Sequence, residues 1–233
     1  MAKRPTSGMR DSERLAGLIF FVVYLLVMPL LFGKIILLTE TLLGIDFSAA
    51  EENSIYYYLL FVVTMIIFHN FIWQNTERFF HRVSPTLGTV GLGLVVFYGC
   101  NELFYRVAHL LLGHGTNLND VTIAAQISAV PRMTALIVIV LAPFVEEVLF
   151  RGLIFGSLRE KNRLLAYGVS AVLFAFLQVW QFALSGGSAY YLILALQYLI
   201  PGLLFAWAYD RSGNLWGSIL LHMAVNALAL WVG

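Results

Sequence analysis

The chain is short of charge and of cysteine. Only 12% of its 233 residues are Asp, Glu, Lys or Arg, and they nearly cancel to a formal net charge of +1. A soluble domain carries about 25% charged residues. With no basic field to steer it toward phosphates, a nucleic-acid binder is excluded. One cysteine, Cys100, excludes an internal disulfide and a multi-cysteine metal site. Repeats and low-complexity stretches are absent too. What is present is apolar: 60% of the residues are hydrophobic and the mean hydropathy is +0.83. A soluble globule of this size could not cover that much apolar surface. The composition predicts an all-α, polytopic membrane bundle in a lipid bilayer.

A transmembrane helix needs about 20 apolar residues. Seven stretches qualify: Leu15–Leu38, Ile55–Trp73, Leu87–Leu112, Thr134–Leu158, Leu164–Leu184, Ala189–Tyr209 and Leu215–Val232. The segments Gly44–Ser54, Gly113–Pro131 and Ser185–Ser188 read as loops, from their Gly, Asn and Ser content. The apolar run after Lys3, Arg4, Arg10 and Arg14 is too long for a signal-peptide core, so the first span is expected to be uncleaved. Placing the N-terminus in the cytoplasm puts ten of the fourteen basic residues on that side, among them Arg78, Arg82, Arg159, Lys161, Arg163 and Arg211. The opposite side then receives Glu40, Asp46, Glu51, Glu52 and Asp120. The expected location is a plasma membrane of prokaryotic type, with the oligomeric state left open.

Charged groups inside such spans are costly in lipid and usually face an interior or a cavity. The fourth span reads Ala142-Pro-Phe-Val-Glu-Glu-Val-Leu-Phe-Arg-Gly152. Glu147 and Arg151, four apart, share a face and can pair. Glu146 lies about 100° around the helix and has no partner in the string. A carboxylate in low dielectric without a cation is suited to exchanging a proton near neutral pH, as a general base must. The seventh span places His222 and Asn226 on one face, able to hold a water or carbonyl oxygen jointly or to bridge helices as packing contacts. Gln178 stands in the fifth span, with Gln181 nearby. At 1.5 Å per residue, Glu146, Gln178 and Asn226 lie about 17–21 Å from the ends of their spans and His222 about 11 Å. All four fall near mid-bilayer and can share a pocket. Glu102 and Arg106 in the third span read as an ion pair facing the bundle, with His109 a turn from the outer end. His69 and His81 read as interfacial.

This order of motifs resembles the CPBP intramembrane proteases, the Abi or CAAX-processing family. The resemblance rests on Glu146, Glu147 and Arg151 in a Glu-Glu-x-x-x-Arg string, Phe174 to Gln178 in the place of Phe-x-x-x-His, and His222 with Asn226 in His-x-x-x-Asn. It covers residues 134–233, which would be the protease core of helices 4–7. Residues 1–133 supply three more helices of the same integrated membrane domain. The resemblance implies hydrolysis of a peptide bond within the membrane, in a membrane-embedded or lipidated substrate. It implies Glu146 as the base that activates water, His222 and Asn226 as stabilisers of the oxyanion, and Glu147 and Arg151 as supports. No cofactor is expected. Zinc held by Glu146 and His222 is a weak alternative, since catalytic zinc generally has three protein ligands. Gln178 departs from the family: an amide binds water but does not titrate near neutrality. The alternative is therefore an inactive relative that binds partner helices as a scaffold or regulator. A proton-relay transporter fits less well, because paired halves and broken helices are not seen in the sequence.

Overall fold

The computed structural model describes residues 8–112, 131–186 and 190–232, and among them there is helix and short connection but no strand. Most of the expected loop Gly113–Pro131, the basic residues Lys3 and Arg4, Asp120, and the side chains of Asn101, His109 and Gln181 lie outside the described residues.

The first rod runs without a break from Asp11 to Leu43, as α1 (Asp11–Val22), a π segment (Val23–Val27) and α2 (Met28–Leu43). Pro29 explains the π segment. A proline inside a helix lacks a donor and clashes with the carbonyl four residues back. Wider i−5 bonding relieves that clash, and here the Met28 N–H bonds to the Val23 carbonyl. Gly44, at φ 65°, ends α2 in the left-handed conformation. Ser48 and Glu51 then cap α3 (Ala49–Ile67) reciprocally, so most of the expected loop Gly44–Ser54 is already helix.

The expected straight span Ile55–Trp73 is corrected. The helix breaks at Phe68, and α4 (His69–Phe80) leaves α3 at 83°. Burial drives the break. Phe68 and Phe71 are fully buried, each seated where a glycine leaves room. A Cβ on Gly17 would lie 2.5 Å from the Phe68 ring, and one on Gly152 would lie 2.6 Å from that of Phe71. A new helix start leaves amides unpaired. Buried Glu13 meets one of them: Oε1 accepts from the Phe71 N–H at 3.0 Å and Oε2 from that of Arg10 at 3.0 Å.

α5 spans Val83–Leu112. Its apolar part is Val83–Cys100. Glu102 and Arg106 beyond it do pair, at 2.7 Å, but their side chains are 60% and 72% exposed. The pair expected to face the bundle therefore stands outside both the apolar stretch and the core.

The central rod comprises α6 (Pro131–Leu136), a π segment (Ile137–Leu141), α7 (Ala142–Glu147), a longer π segment (Val148–Phe155) and α8 (Gly156–Arg159). It packs between α1 and α3 on one side and the final helices on the other. These are α9 (Arg163–Gly186), α10 (Tyr190–Ser212) and α11 (Leu215–Val232). Arg14 meets Glu160 at 3.2 Å, and Asp210 binds both Arg159 and Arg163. These contacts gather the start of α1 and the turns after α8 and α10 at one end of the bundle. Asn75 of α4 starts α11, its Oδ1 accepting from the Leu215 N–H at 2.9 Å. Among the described residues four rods are long and apolar enough to cross a membrane, or five if α3 and α4 count as one bent span. Within the described residues the seven apolar stretches are helical apart from the break at Phe68, but fewer than seven meet that standard as straight spans. The molecule is an all-α membrane bundle.

Candidate active site

The site grows from two departures from α-helical geometry in the central rod. Pro143 forces the π segment before it just as Pro29 does in the first rod. The Ala142 N–H bonds to the Ile137 carbonyl, five residues back. The Val138 carbonyl loses Ala142 as a donor, and the next residue that could serve is Pro143, which has no N–H. A buried carbonyl without a donor is costly. Asn226 of α11 supplies one: its Nδ2 donates to the Val138 oxygen at 2.8 Å. Asn226 therefore locks α11 to the central rod, and one amide hydrogen remains for other work. The second π segment frees the Phe150 carbonyl for the hydroxyl of Ser170 on α9, at 3.0 Å.

Between these locks lie the charges. Glu147 and Arg151 are fully buried and meet at 3.1 Å, one turn apart. The Arg151 Nη2 also donates to the Gly202 carbonyl at 3.0 Å. Gly202 can come this close because α9 and α10 touch there; a Cβ would stand 3.1 Å from the Ala171 backbone. Aromatic rings enclose the guanidinium, with Phe174 at 4.5 Å and Phe205 at 5.3 Å. Cation–π contact of this kind is strongest where water is excluded. Arg151 is thus held by a carboxylate, a backbone carbonyl and two ring faces.

His222 completes the group. Its Nδ1 lies 2.9 Å from the same Glu147 oxygen that faces Arg151. Its ring stacks on Phe205, with centroids 4.3 Å apart and planes at 19°, and meets Phe174 edge-on at 5.8 Å. The imidazole is therefore fixed in place and in rotation. With Nδ1 turned to a carboxylate, Nε2 is the nitrogen left for chemistry. Sequence spacing paired Glu147 with Arg151; the bond from Glu147 to His222 needed the fold.

Glu146 stands apart from this network. It is buried, and its Oε2 has no hydrogen-bond partner among the described residues. It interacts electrostatically with His222, Glu147 and Arg151. The phenols of Tyr24 and of Tyr56 and Tyr57 on α3 are near enough to Glu146 to interact with it electrostatically. The register is fixed by Phe21 of α1, edge-on to Phe150 at 5.3 Å. One turn beyond Phe21, in the π segment that continues α1, is Tyr24, and one turn back along the central rod from Phe150 is Glu146. Sequence reading missed these tyrosines, because an aromatic in an apolar span reads as packing. Pro29, five residues after Tyr24, is the signal that this turn is irregular.

Gln178 lies on α9 one turn beyond Phe174, on the same face, and is half-buried. His69 is exposed, with its ring nitrogens on the Ile66 carbonyl and Asn70, and His81 is exposed at the end of α4. Neither joins the group. Among the described residues no three His, Cys, Asp or Glu side chains are arranged to hold a metal ion. Among the described residues, Glu147 Oε1 and the His222 Nδ1 are engaged with one another, which leaves fewer free donor groups than the three protein ligands of a typical catalytic zinc.

Residues 128–228 match the family described as type II CAAX prenyl endopeptidase Rce1-like. The UPF0177 protein YxdF of Lactococcus lactis subsp. lactis (strain IL1403) is 36% identical over 87 residues, 37% of this chain and 42% of that protein. YdiL of Bacillus subtilis (strain 168), a proposed membrane peptidase by its name, is 32% identical over 113 residues, 48% of this chain and 41% of that protein. The chain thus spans about two-fifths of the length of these relatives. No solved structure matches. The matched region holds the Glu146–Glu147–Arg151 string, Gln178, His222 and Asn226, so the similarity to the Rce1-like family falls on the residues that build the site.

Proposed function

We propose that the chain is an intramembrane endopeptidase and that Glu146 activates the water. The observation that carries this reading is the division of labour between adjacent glutamates. Glu147 is engaged through Oε1 by both Arg151 and His222, while Glu146, buried beside the same histidine with an unbonded Oε2, makes no ion pair among the described residues. In the reaction, Glu146 takes a proton from water as the water oxygen bonds to the scissile carbonyl carbon. Glu147 on Nδ1 orients the imidazole, as a carboxylate does in hydrolytic triads. The second amide hydrogen of Asn226, with Nε2–H of His222 in the doubly protonated ring, then stabilises the oxyanion. Such donors typically contribute a few kcal/mol to the transition state. The proton on Glu146 passes to the leaving nitrogen as the C–N bond breaks, which restores the carboxylate. Gln178 hydrogen-bonds the water without titrating. The proposed substrate is a peptide bond in a membrane-embedded or lipidated chain, since the centre is buried among apolar helices.

Gln178 favours a second reading, an inactive relative that binds partner helices. Both readings are tested by one experiment, with purified protein in liposomes holding membrane-embedded and lipidated peptides. Cleavage that Glu146→Ala abolishes supports the enzyme. Equal cleavage by both proteins rejects Glu146 as the base. A wild type without activity that gains it on Gln178→His supports the scaffold.

A further inference from the structure

α4 crosses the end of the bundle instead of running along it, at 83° to α3. Its inner face, with Phe71, Ile72 and Asn75, is buried. Its outer stripe is His69, Trp73, Glu77 and Phe80, at the spacing of one helix face. Two large aromatics there are largely exposed: Trp73 is 66% exposed and Phe80 is 72% exposed. The Trp73 indole N–H donates to Glu77 at 2.7 Å, which keeps the polar edge of the ring toward the charged side of the stripe. The same end of the bundle is basic. Arg14, Arg159 and Arg163 are paired with carboxylates, whereas Arg78, Arg82 and Arg211 make no salt bridge among the described residues. The Arg82 guanidinium lies over Gly213, in the turn that begins α11. A helix with exposed Trp and Phe, polar partners along its length and guanidinium groups outside any described ion pair beside it has the make-up of a helix lying in a membrane surface. Basic groups at that level attract anionic headgroups.

We propose that α4 is an interfacial helix that binds the anionic bilayer surface, with Trp73 and Phe80 inserted among the headgroups and Arg78 and Arg82 facing lipid phosphates. The surface then bears on the site as well. Asn75 holds the Leu215 N–H, and Thr76 accepts from the Trp216 indole at 3.0 Å, two turns before His222 on α11. The inference concerns how the bundle sits in its bilayer and stands whether or not the chain cuts peptides.

The test uses the full chain with Cys100→Ser, carrying a single new cysteine at Trp73→Cys, Phe80→Cys or, as an exposed reference at the same end, Lys161→Cys. Each is labelled with an environment-sensitive fluorophore and reconstituted in vesicles of phosphatidylcholine with or without phosphatidylglycerol. Labels at 73 and 80 are expected to emit to the blue of the label at 161. They should be quenched by headgroup-region spin-labelled lipid and protected from aqueous iodide. Protection should weaken without phosphatidylglycerol, and also when Arg78→Gln and Arg82→Gln are introduced. Iodide quenching at 73 and 80 as strong as at 161 overturns the placement of α4. Protection that is the same with and without phosphatidylglycerol overturns the choice of an anionic surface.

Discussion

The central rod and α5 are both apolar helices, yet they sit in the bundle in opposite ways. Two-thirds of the apolar window of the central rod is buried inside the protein, 67%, against 17% for α5. Each carries a glutamate and an arginine four residues apart. In α5 the pair is exposed and, among the described residues, its ion pair is with itself alone. In the central rod the pair is sealed and tied to Gly202, Phe174, Phe205 and His222, which come from three other helices. The same spacing is thus a surface ornament in one place and a structural keystone in the other. Burial decides, because a charge pair gains little in water and becomes indispensable once both members are desolvated.

The strongest way to break this contrast is to remove one partner of each pair. Arg151→Met leaves Glu147 charged and buried, and such a loss typically costs about 3–5 kcal/mol. Unfolding in mixed micelles should show it, while Arg106→Met should change stability by less than about 1 kcal/mol. Equal effects would dissolve the distinction. Next in size is Asn226→Ala, which returns the Val138 carbonyl to its unbonded state. A buried acceptor without a donor costs about 1–3 kcal/mol. Hydrogen exchange should report faster opening around Ile137–Leu141 if the lock is real.

The glycines sharpen the comparison further. Gly17→Ala places a methyl group against the Phe68 ring, and overpacking of this kind costs about 1–3 kcal/mol. Gly33→Ala, on the same rod, meets nothing within 4 Å. It should be neutral or stabilise by up to about 1 kcal/mol through helix propensity. A thermal melt of the two variants side by side checks whether the first rod is fixed only at its inner contact.

The same asymmetry governs what could be read from the chain. Glu146, Glu147, Arg151, His222 and Asn226 were legible because charge and amide in an apolar span are rare and their spacing is periodic. The pairing of Glu147 with Arg151 followed from that spacing alone. Its bond to His222 did not, since 75 residues separate them. The role of Asn226 at Val138 depends on where Pro143 strips a carbonyl of its donor, a local effect with a distant remedy. Residues 8–112 offered mostly hydrophobicity, so helices were found there and the break at Phe68 was not. That break follows from two phenylalanines finding two glycines on other helices. Tyr24 stayed hidden for the same reason.

The central claim is that the two glutamates have separate tasks, Glu147 building the site and Glu146 doing the chemistry. Single-turnover cleavage of a bilayer-embedded peptide, measured with the stability of Glu146→Gln and Glu147→Gln, tests it most directly. The account predicts that Glu146→Gln remains as stable as wild type and loses about 10²–10⁴-fold in rate, the usual contribution of a general base. It predicts that Glu147→Gln is the one that lowers stability. A Glu146→Gln protein that cuts at the wild-type rate would contradict it.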